Sequence, residues 1–453
     1  MKKIFQYIML AVVTIVMASC TSDIEETTAT TGKSNVQLVV GEFPAFGDSQ
    51  TRAIGTTDPG KTSWAEGDEL LLEMTSNTYG TQYATFKYNG SNWELASGEL
   101  SYKEDEGPTF PHVYYAPNYK WEAGELVLKE GKVAGTDEYI EGTAYTRNGE
   151  AIIVEFTAAT RKYSRLRIAT MPNKPITVDI NQYTPAGSSD MKWDLNYALT
   201  SDEKGNAYLY GTFENNSEVT VKYREAALTT YTFSQATESA KSYALDATVI
   251  SANSAEEIKS AIEQKVADGK TTIRLNLAPN AGDNEFNAIR EAFENVQRGT
   301  IDLTLIGCKE IPADGLNNQS GGLEALKSIT LPDVTKIGKN ALLFCVYLEE
   351  INTPNVTSIH ENAFGGCTNL QKITFGELTE VKGLSHDYDG ILDPGVDTER
   401  INLVLSENQK VMTKNRQGNE YFWTPTKEYY KGSVEYDSTS FLEYKFNSVS
   451  FKK

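Results

Sequence analysis

The amino-acid sequence predicts a mainly β protein, in which β-sandwiches are followed by a short repeat solenoid of α+β type. In the first half, many short apolar segments alternate with Gly, Pro and Asn, and no stretch carries a convincing helical apolar period. This pattern favours antiparallel sandwiches over βαβ units. The second half contains two amphipathic helical segments and then a motif that recurs every 22 residues, which indicates a stacked solenoid with a helical N-terminal cap.

The composition bounds the size and the class of the protein. The chain has 453 residues, of which 62 are acidic and 42 are Lys or Arg, so that its net charge is −20. This length favours more than one domain, at ~150 residues each. Hydrophobic residues at 40% and aromatic residues at 10% exclude global disorder. The acidic balance argues against a nucleic-acid partner, because phosphate binding needs clustered Lys and Arg.

Residues 1–19 have the pattern of a secretory signal peptide. Lys2 and Lys3 precede an apolar run that ends at Met17, and this run is shorter than the ~20 residues that span a bilayer. The following Met-Ala-Ser-Cys20 resembles a bacterial lipobox. The resemblance implies cleavage before Cys20 and lipidation of this cysteine, whose acyl chains would anchor the protein stably. The alternative is an ordinary signal peptide with a chance cysteine.

Residues 20–35 are predicted to form a Thr-rich tether. Asp23, Glu25 and Glu26 follow the cysteine and resemble the surface-export signal of Bacteroidetes lipoproteins, although Ile24 interrupts the acidic run. The resemblance implies an outer-membrane lipoprotein that is exposed on the cell surface and contacts the membrane through its lipid. No later segment of the sequence is apolar enough to cross a membrane.

Strand candidates fill the region from residue 36 to residue 240. The first is Val36–Val40, and Asn89-Gly90 predicts a hairpin turn because both residues tolerate positive φ. Further candidates are Ala151–Phe156, Leu166–Ile168, Ile176–Ile180, Ala207–Tyr210 and Val219–Val221.

The densest basic cluster of the sequence consists of Arg161, Lys162, Arg165 and Arg167. Because one residue separates Arg165 from Arg167, the two side chains share one face of a strand. We expect this face to be solvated and its arginines to pair with nearby acidic side chains.

Three motifs in this region resemble the fimbrillin-like proteins of Bacteroidetes. They are Thr51-Arg52-Ala53, Trp64-Ala-Glu-Gly-Asp68 and Tyr114-Tyr-Ala-Pro117. The resemblance implies two transthyretin-like β-sandwich subdomains with a role in fimbriae or surface adhesion. We place these subdomains at residues 36–145 and 146–240, with the limit in the polar stretch Glu141–Glu150.

Arg52 is the candidate for proteolytic maturation that this resemblance implies. In some fimbrillin-like proteins, a protease cuts after an arginine in the leading segment and removes the first strand. The groove that opens then accepts a donor strand from the next subunit, which is a form of strand addition. The alternative is that Arg52 is a solvated loop residue and that the lipid anchor is retained.

The strongest internal signal is the 22-residue repeat between residues 326 and 375. The equivalent positions are Leu326, Leu348 and Leu370; Ile329, Ile351 and Ile373; Pro332 and Pro354; Val334 and Val356; Ile337 and Ile359; Asn340 and Asn362; Ala341 and Ala363; and Cys345 and Cys367. A fixed period of this size indicates one supersecondary unit per repeat, stacked on the next to bury a shared core.

This pattern resembles the BspA-type leucine-rich repeat of bacterial surface proteins. Two full repeats and a third that begins at Leu370 match it, and looser versions flank them, so that we expect about five or six coils within residues 251–453. Ser254–Ala267 and Asn284–Val296 are predicted to be amphipathic helices that cap the N-terminal end. The aromatic tail from Tyr421 to Phe451 is expected to seal the other end.

The sheet face of this solenoid is the expected ligand-binding surface. Thr330, Asn352 and Thr374 occupy the alternating exposed position of successive strands. These side chains are small and polar, which suits contact with a host protein or a glycan without revealing the partner.

The three cysteines after Cys20 are expected to be structural. Cys345 and Cys367 occupy equivalent positions in adjacent coils, which lie ~4.8 Å apart, so that a disulfide between them is conceivable. The repeat family implies instead an inward-facing position, where cysteine acts as a small hydrophobe. We therefore expect Cys345, Cys367 and Cys308 to be reduced and buried.

No catalytic or metal-binding motif emerges from the sequence. The histidines are His112, His360 and His386, and no Asp or Cys lies at metal-ligand spacing from His360. Asp387-Tyr-Asp-Gly390 with Asp393 favours an acidic turn over a calcium loop, because its glycine comes fourth and no glutamate closes the motif. Nucleophile-elbow, P-loop and dinucleotide fingerprints are absent from the sequence. We predict a protein without enzymatic activity and without a cofactor.

The function that these patterns favour is that of a cell-surface lipoprotein, an adhesin or ligand-binding protein that uses its repeat domain for protein or glycan contact. Two alternatives remain open. One is a structural or anchoring subunit of a fimbria-like polymer assembled by strand addition. The other is an accessory glycan-binding protein of a polysaccharide-utilisation system.

Overall fold

The structure is a computed structural model in which residues 37–46, 60–103, 106–147, 151–157, 161–224, 226–252, 254–318, 321–383, 390–392, 395–418, 420–433 and 439–452 are described. The signal peptide, the lipidation site Cys20, the tether and Arg52 lie outside the described residues, as do His386 and the acidic positions Asp387, Asp389 and Asp393. The described residues are mainly β-strand with two α-helices, which confirms the predicted fold class.

The first β-unit comprises the described residues between 37 and 157. Its strands are β1 Gln37–Val40, β2 Glu69–Ser76, β3 Gly80–Tyr88, β4 Trp93–Gly98, β5 Thr109–Tyr115, β6 Tyr119–Glu122, β7 Glu125–Leu128, β8 Ile140–Glu141, β9 Thr143–Arg147 and β10 Ala151–Glu155. One sheet has the order β1-β10-β9 and another the order β4-β3-β2-β5-β8, while β6 and β7 form a hairpin.

Apolar side chains from both sheets of the first β-unit share one core. Leu38 and Ile152 enter it from the smaller sheet, and Leu70 and Leu72 enter it from β2. Leu71 faces the opposite side of β2 and packs in a second cluster under the β6–β7 hairpin. Because β2 is buried on both faces, its apolar residues run consecutively instead of alternating.

The predicted hairpin at Asn89-Gly90 is confirmed. β3 pairs with β4 in antiparallel register, and Gly90 has a φ of 93°. The Asn89 side chain accepts hydrogen bonds from the backbone N–H groups of Ser91, at 2.9 Å, and Asn92, at 2.7 Å. This local closure is the reason why Asn favours such turns.

The second β-unit comprises the described residues between 161 and 247. Its strands are β11 Ser164–Ala169, β12 Pro175–Pro185, β13 Lys192–Thr200, β14 Asn206–Phe213, β15 Glu218–Tyr223, β16 Ala226–Thr232 and β17 Ser242–Asp246. Long strand β12 pairs with β13 along most of its length, with β15 along its first part and with β14 at its end, so that it joins two halves of the sheet. Alternating residues such as Val178, Ile180 and Leu209 fill its core.

The predicted domain limit at residues 145 and 146 falls inside β9. The β9–β10 hairpin packs with the first β-unit, since Val154 and Phe156 belong to the same core as Leu38. Tyr163 also contacts this core, whereas the second core contains side chains from Leu166 onwards. The domain limits as such stay predictions.

The solenoid comprises the described residues between 250 and 452. Its elements are β18 Ile250–Ser251, α1 Ala255–Ala267, β19 Thr272–Asn276, α2 Asp283–Phe293, β20 Ile301–Ile306, β21 Glu310–Ile311, β22 Asn317–Asn318, β23 Gly321–Gly322, β24 Leu326–Thr330, β25 Lys336–Ile337, β26 Glu350–Thr353, β27 Ser358–Ile359, β28 Lys372–Phe375, β29 Glu380–Lys382, a 3₁₀ turn Thr398–Arg400, β30 Asn402–Ser406, β31 Lys410–Gln417, β32 Glu420–Tyr429, β33 Ser440–Phe441, β34 Tyr444–Lys445 and β35 Ser448–Lys452.

Two sheets run along the solenoid. The main sheet has the parallel order β18-β19-β20-β24-β26-β28-β30-β35, and the second has the order β21-β25-β27-β29-β32-β31. Ile329, Ile351 and Ile373 lie opposite one another on β24, β26 and β28, so that the 22-residue period of the sequence equals one coil. Between the two sheets, equivalent residues Asn340 and Asn362 adopt φ values of 55° and 53°. Asn tolerates this left-handed conformation better than most residues, which explains its recurrence at the corner.

Both predicted cap helices are present. The Ser254 side chain accepts a hydrogen bond from the backbone of Glu257 and begins α1. Ile258 and Ile262 of α1 are buried in the solenoid core together with Phe286 of α2. At the other end, β35 extends the main sheet beyond β30, and aromatic side chains of the tail fill the last part of the core.

Candidate ligand-binding surface

Thr330, Asn352 and Thr374 lie side by side on β24, β26 and β28. Thr330 is in register with Asn352, and Asn352 is in register with Thr374. Each follows a fully buried isoleucine, so that its side chain points away from the solenoid core. We call these three residues the outer row.

The exposure of the outer row differs from the expectation at one position. Thr330 and Asn352 are half-buried, but Thr374 is only 6% exposed. Thr374 lies between Asn352 and Val404, its register partners on the two neighbouring strands. In a parallel sheet, larger neighbours on both sides shield a small side chain, so that Thr330 and Asn352 are the accessible members of the row.

A second row of polar residues lies two positions earlier on the same strands. Ser328, Glu350 and Lys372 are in register, and we call them the paired row. The Ser328 hydroxyl donates a hydrogen bond to Asp302 on β20 at 2.6 Å. The Lys372 ammonium lies 2.7 Å from the Glu350 carboxylate. The sequence carried a signal for this row, since it has the same 22-residue spacing, but the prediction did not use it.

The two rows together form a polar surface, and the side chains of the paired row are held by their neighbours. An exposed ion pair contributes little stability. It nevertheless limits the rotamers of the two side chains and fixes where donors and acceptors lie. Hydroxyl, amide, carboxylate and ammonium groups in this arrangement can hydrogen-bond to a protein backbone or to sugar hydroxyls.

Comparison with known protein families identifies the segment that carries these rows. Residues 318–385 match the family model of the BspA type leucine rich repeat region. The match confirms the predicted repeat type for this segment, which we call the BspA-type region. It covers less than half of the chain and therefore classifies the segment alone.

No curated protein matches the sequence. Among solved structures, a candidate cell adhesion protein from Bacteroides fragilis is similar at 10% identity and a TM-score of 0.26, over 48% of this chain and 94% of that chain. A likeness of this size indicates neither the fold nor the function of the present chain. None of the helices in the described residues is long and apolar enough to span a membrane.

The cysteines of the BspA-type region are free and buried, as predicted. The Cys345 and Cys367 thiols contact the carbonyl oxygens of Leu316, at 3.8 Å, and Leu342, at 3.2 Å. Burial raises the pKa of the Cys345 thiol to about 12. Cys308 is also free and buried, and burial raises its pKa to about 12 as well. These thiols are core residues and are poor nucleophiles.

The histidines that the structure describes form no metal site. His360 is half-buried, and its pKa is lowered by burial and by Lys382 and Lys336. His112 stacks on Tyr114 and hydrogen-bonds to its hydroxyl at 3.0 Å. Across the described ranges, no group of three or more His, Cys, Asp or Glu side chains could hold a metal ion.

The arginines of the basic cluster are buried, whereas Lys162 is exposed. The expectation of a solvated face for Arg165 and Arg167 is therefore wrong, since Arg167 is only 6% exposed. Arg161 and Arg165 are each 1% exposed. The Arg161 guanidinium pairs with Glu138, donates to the Pro44 carbonyl at 2.6 and 2.9 Å, and lies 3.8 Å from the centre of the Phe46 ring. A carboxylate, a carbonyl and an aromatic face together replace the water that this cation loses on burial.

Asp333 is a buried structural position that sequence reasoning missed. It is 3% exposed, and its carboxylate accepts a hydrogen bond from the backbone of Gly307 at 2.9 Å. Arg224 of the second β-unit lies 3.0 Å from the same carboxylate. Nearby, Ile306 of β20 packs into the core of the second β-unit. Asp333 therefore links the solenoid to the unit before it.

Proposed function

We propose that this chain is a non-enzymatic, lipid-anchored cell-surface protein that binds a protein or a glycan through its BspA-type region. The observation that carries this proposal is the family match over residues 318–385, the segment whose strands present the outer row and the paired row. Repeats of this type resemble those of bacterial surface proteins. Lipidation of Cys20 would provide the anchor, and a signal peptide over residues 1–19 would provide export.

The two rows support binding by many weak contacts. Half-buried Thr330 and Asn352 offer a hydroxyl and an amide at the strand spacing of ~4.8 Å. The paired row next to them adds the charges of Glu350 and Lys372, which can pair with both acidic and basic groups of a ligand. The β-units before the solenoid would serve as a stalk, with their limit after Phe156, where the β9–β10 hairpin ends.

The test uses the full chain on the bacterial surface. Asn352→Arg places a long cation on the accessible part of the outer row, and Asn408→Arg makes the same change in an exposed turn of the solenoid. Adherence to a cultured epithelial cell layer is measured for bacteria that display each variant in equal amounts. We expect a loss of adherence with Asn352→Arg and none with Asn408→Arg. Equal adherence of the two variants would refute the assignment of the binding surface.

A second candidate function, as a subunit of a fimbria-like polymer, rests on the packing of residues 37–46. β1 of this segment pairs with β10, and Phe43 is buried in the first core. The Trp64 indole N–H donates to the Gly41 carbonyl at 2.8 Å, and Arg161 donates to the Pro44 carbonyl. Removal of this segment after a cut at Arg52 would uncover an apolar groove with unpaired donors, which suits an incoming strand.

The mature N-terminus of the cell-associated protein separates the two candidates. A lipid-modified N-terminus at Cys20 supports the anchored binding protein, and Cys20→Ser should then release the chain from the membrane fraction. An N-terminus at Ala53, together with copurification of polymers, supports the fimbrial subunit. Glycan binding by the anchored protein would also fit an accessory role in polysaccharide use, which a glycan array with the full chain tests.

A further inference from the structure

A cavity of about 300 Å³ lies where the second β-unit meets the first coil of the solenoid. Asp246, Thr248 and Ile250 line it from the segment after β17. The end of α1, the turn that follows it and strand β19 line the other side with Lys265, Gly269, Lys270, Thr271, Thr272, Ile273 and Arg274. We call this space the junction cavity.

The junction cavity concentrates positive charge on a chain whose net charge is −20. Lys265, Lys270 and Arg274 face a single carboxylate, that of Asp246, among its lining residues. Elsewhere on the chain, lysines such as Lys259 form ion pairs, here with Glu291 at 2.8 Å. Within the part of the chain that the structure describes, the three cations of the cavity make neither an ion pair nor a side-chain hydrogen bond.

Arg274 has the most to gain from a ligand. It lies on β19 in register with Thr304, and its Nε is buried without a hydrogen-bond partner among the described residues. Burial lowers the pKa of Arg274, while Asp246 opposes this effect. Arg274 lines the junction cavity, and a carboxylate is the acceptor that matches a guanidinium best.

The remaining lining groups indicate which other chemical groups the ligand carries besides its carboxylate. Thr248, Thr271 and Thr272 carry hydroxyls that both donate and accept, and Asp246 accepts from hydroxyl donors. A volume of about 300 Å³ exceeds the needs of a simple anion and lies at the lower end of small-molecule sites. We propose that the junction cavity binds a sugar acid, with the carboxylate on Arg274 and the lysines and with the hydroxyls on Asp246 and the threonines.

This site goes beyond the function proposed above, because it does not include the outer row or the paired row. It would make the chain a receptor for an acidic monosaccharide unit at the joint between its second β-unit and its solenoid. Failure of the adherence experiment with Asn352→Arg leaves this site untouched, and failure of the titration below leaves the adherence proposal untouched.

The test is calorimetric titration of the full-length protein in a non-ionic detergent at low ionic strength. The probes are sodium glucuronate, glucose as its neutral counterpart, and acetate as a bare carboxylate. We expect the Kd of glucuronate to be at least about tenfold lower than that of either control. If glucose bound as tightly as glucuronate, the cations would not contribute to binding. If acetate bound as tightly as glucuronate, the hydroxyl groups of the sugar would not contribute.

Variants at the cavity provide a second measurement. Lys270→Gln changes an exposed side chain and should leave folding intact, and Arg274→Gln removes the buried guanidinium. Lys339→Gln is the matched control at an exposed lysine elsewhere on the solenoid. We expect glucuronate affinity to fall about tenfold with Arg274→Gln and severalfold with Lys270→Gln. Unchanged affinity in Lys270→Gln and in folded Arg274→Gln would overturn the proposal.

Discussion

At the scale of single residues, the structure buries charged side chains that the sequence pattern predicts on the surface. Arg165 and Arg167 alternate as solvated strand residues would, yet both are buried, and the guanidinium groups of Arg161 and Arg165 lie over the Phe46 ring. The Arg161 guanidinium pairs with Glu138, whose carboxylate also accepts a hydrogen bond from Tyr163. A buried pair of this kind is costly to break, because the remaining charge has neither water nor a counter-charge.

Glu138→Gln should therefore lower the free energy of unfolding by about 3–5 kcal/mol. The reason is that Arg161 loses its counter-charge while it remains buried. Denaturant titration of the full chain measures the change. Glu141→Gln is the control, because Glu141 pairs with exposed Lys162, and its effect should stay below about 1 kcal/mol. Equal effects of the two variants would contradict the prediction.

The buried thiols give a second prediction at this scale. A pKa of about 12 for Cys345 and Cys308 leaves roughly one thiol in ten thousand as thiolate at about pH 8. Iodoacetamide should thus leave both cysteines of the native protein unmodified at this pH, and should alkylate both in urea. Peptide mass spectrometry reads the result at each position. Rapid alkylation of either cysteine in the native protein would contradict their burial.

At the scale of elements, the solenoid depends on one strand and one corner per coil. The strand places an isoleucine inward at each repeat, and the corner places an asparagine in the left-handed region at positions 340 and 362. The Asn340 amide donates to Asp314 at 3.1 Å, whereas the Asn362 side-chain oxygen has no partner among the described residues. The left-handed backbone conformation, and not a hydrogen bond to the side-chain oxygen, therefore explains the asparagine at position 362.

Asn362→Ala and Asn362→Gly should consequently differ. Alanine at a φ of 53° costs about 1–2 kcal/mol, whereas glycine adopts this conformation without steric cost. Thermal unfolding of the two variants gives the comparison, and both lack the same amide. If alanine proved as stable as glycine, backbone conformation would not explain the repeated asparagine.

At the scale of the whole molecule, the structural units are joined by specific contacts. Phe46 and Tyr163 connect the first core to the second β-unit. Ile306 and Asp333 of the solenoid meet the second β-unit at the other end, where Asp333 binds Arg224. The junction cavity lies at this same joint, which makes the joint a place for binding as well as for connection.

Asp333→Ala should weaken the joint. The substitution leaves the Gly307 N–H and the Arg224 guanidinium without their acceptor and should lower stability by about 1–3 kcal/mol. In scanning calorimetry, unfolding of the second β-unit and of the solenoid should separate into distinct transitions. Glu310→Gln, which breaks the exposed pair with Lys336, is the control and should leave the profile unchanged. A single transition in both variants would contradict the role of Asp333.

The sequence by itself determined the mainly β fold class, the solenoid with its 22-residue coil, both cap helices, the Asn89-Gly90 turn and the burial of three cysteines. Each of these follows from residues that are near in the chain or repeated along it. Only the tertiary structure decided the burial of Arg161 and Thr374, the role of Asp333 and the junction cavity. These depend on which distant elements cover a side chain, and periodicity records the face of a strand without recording what packs against it.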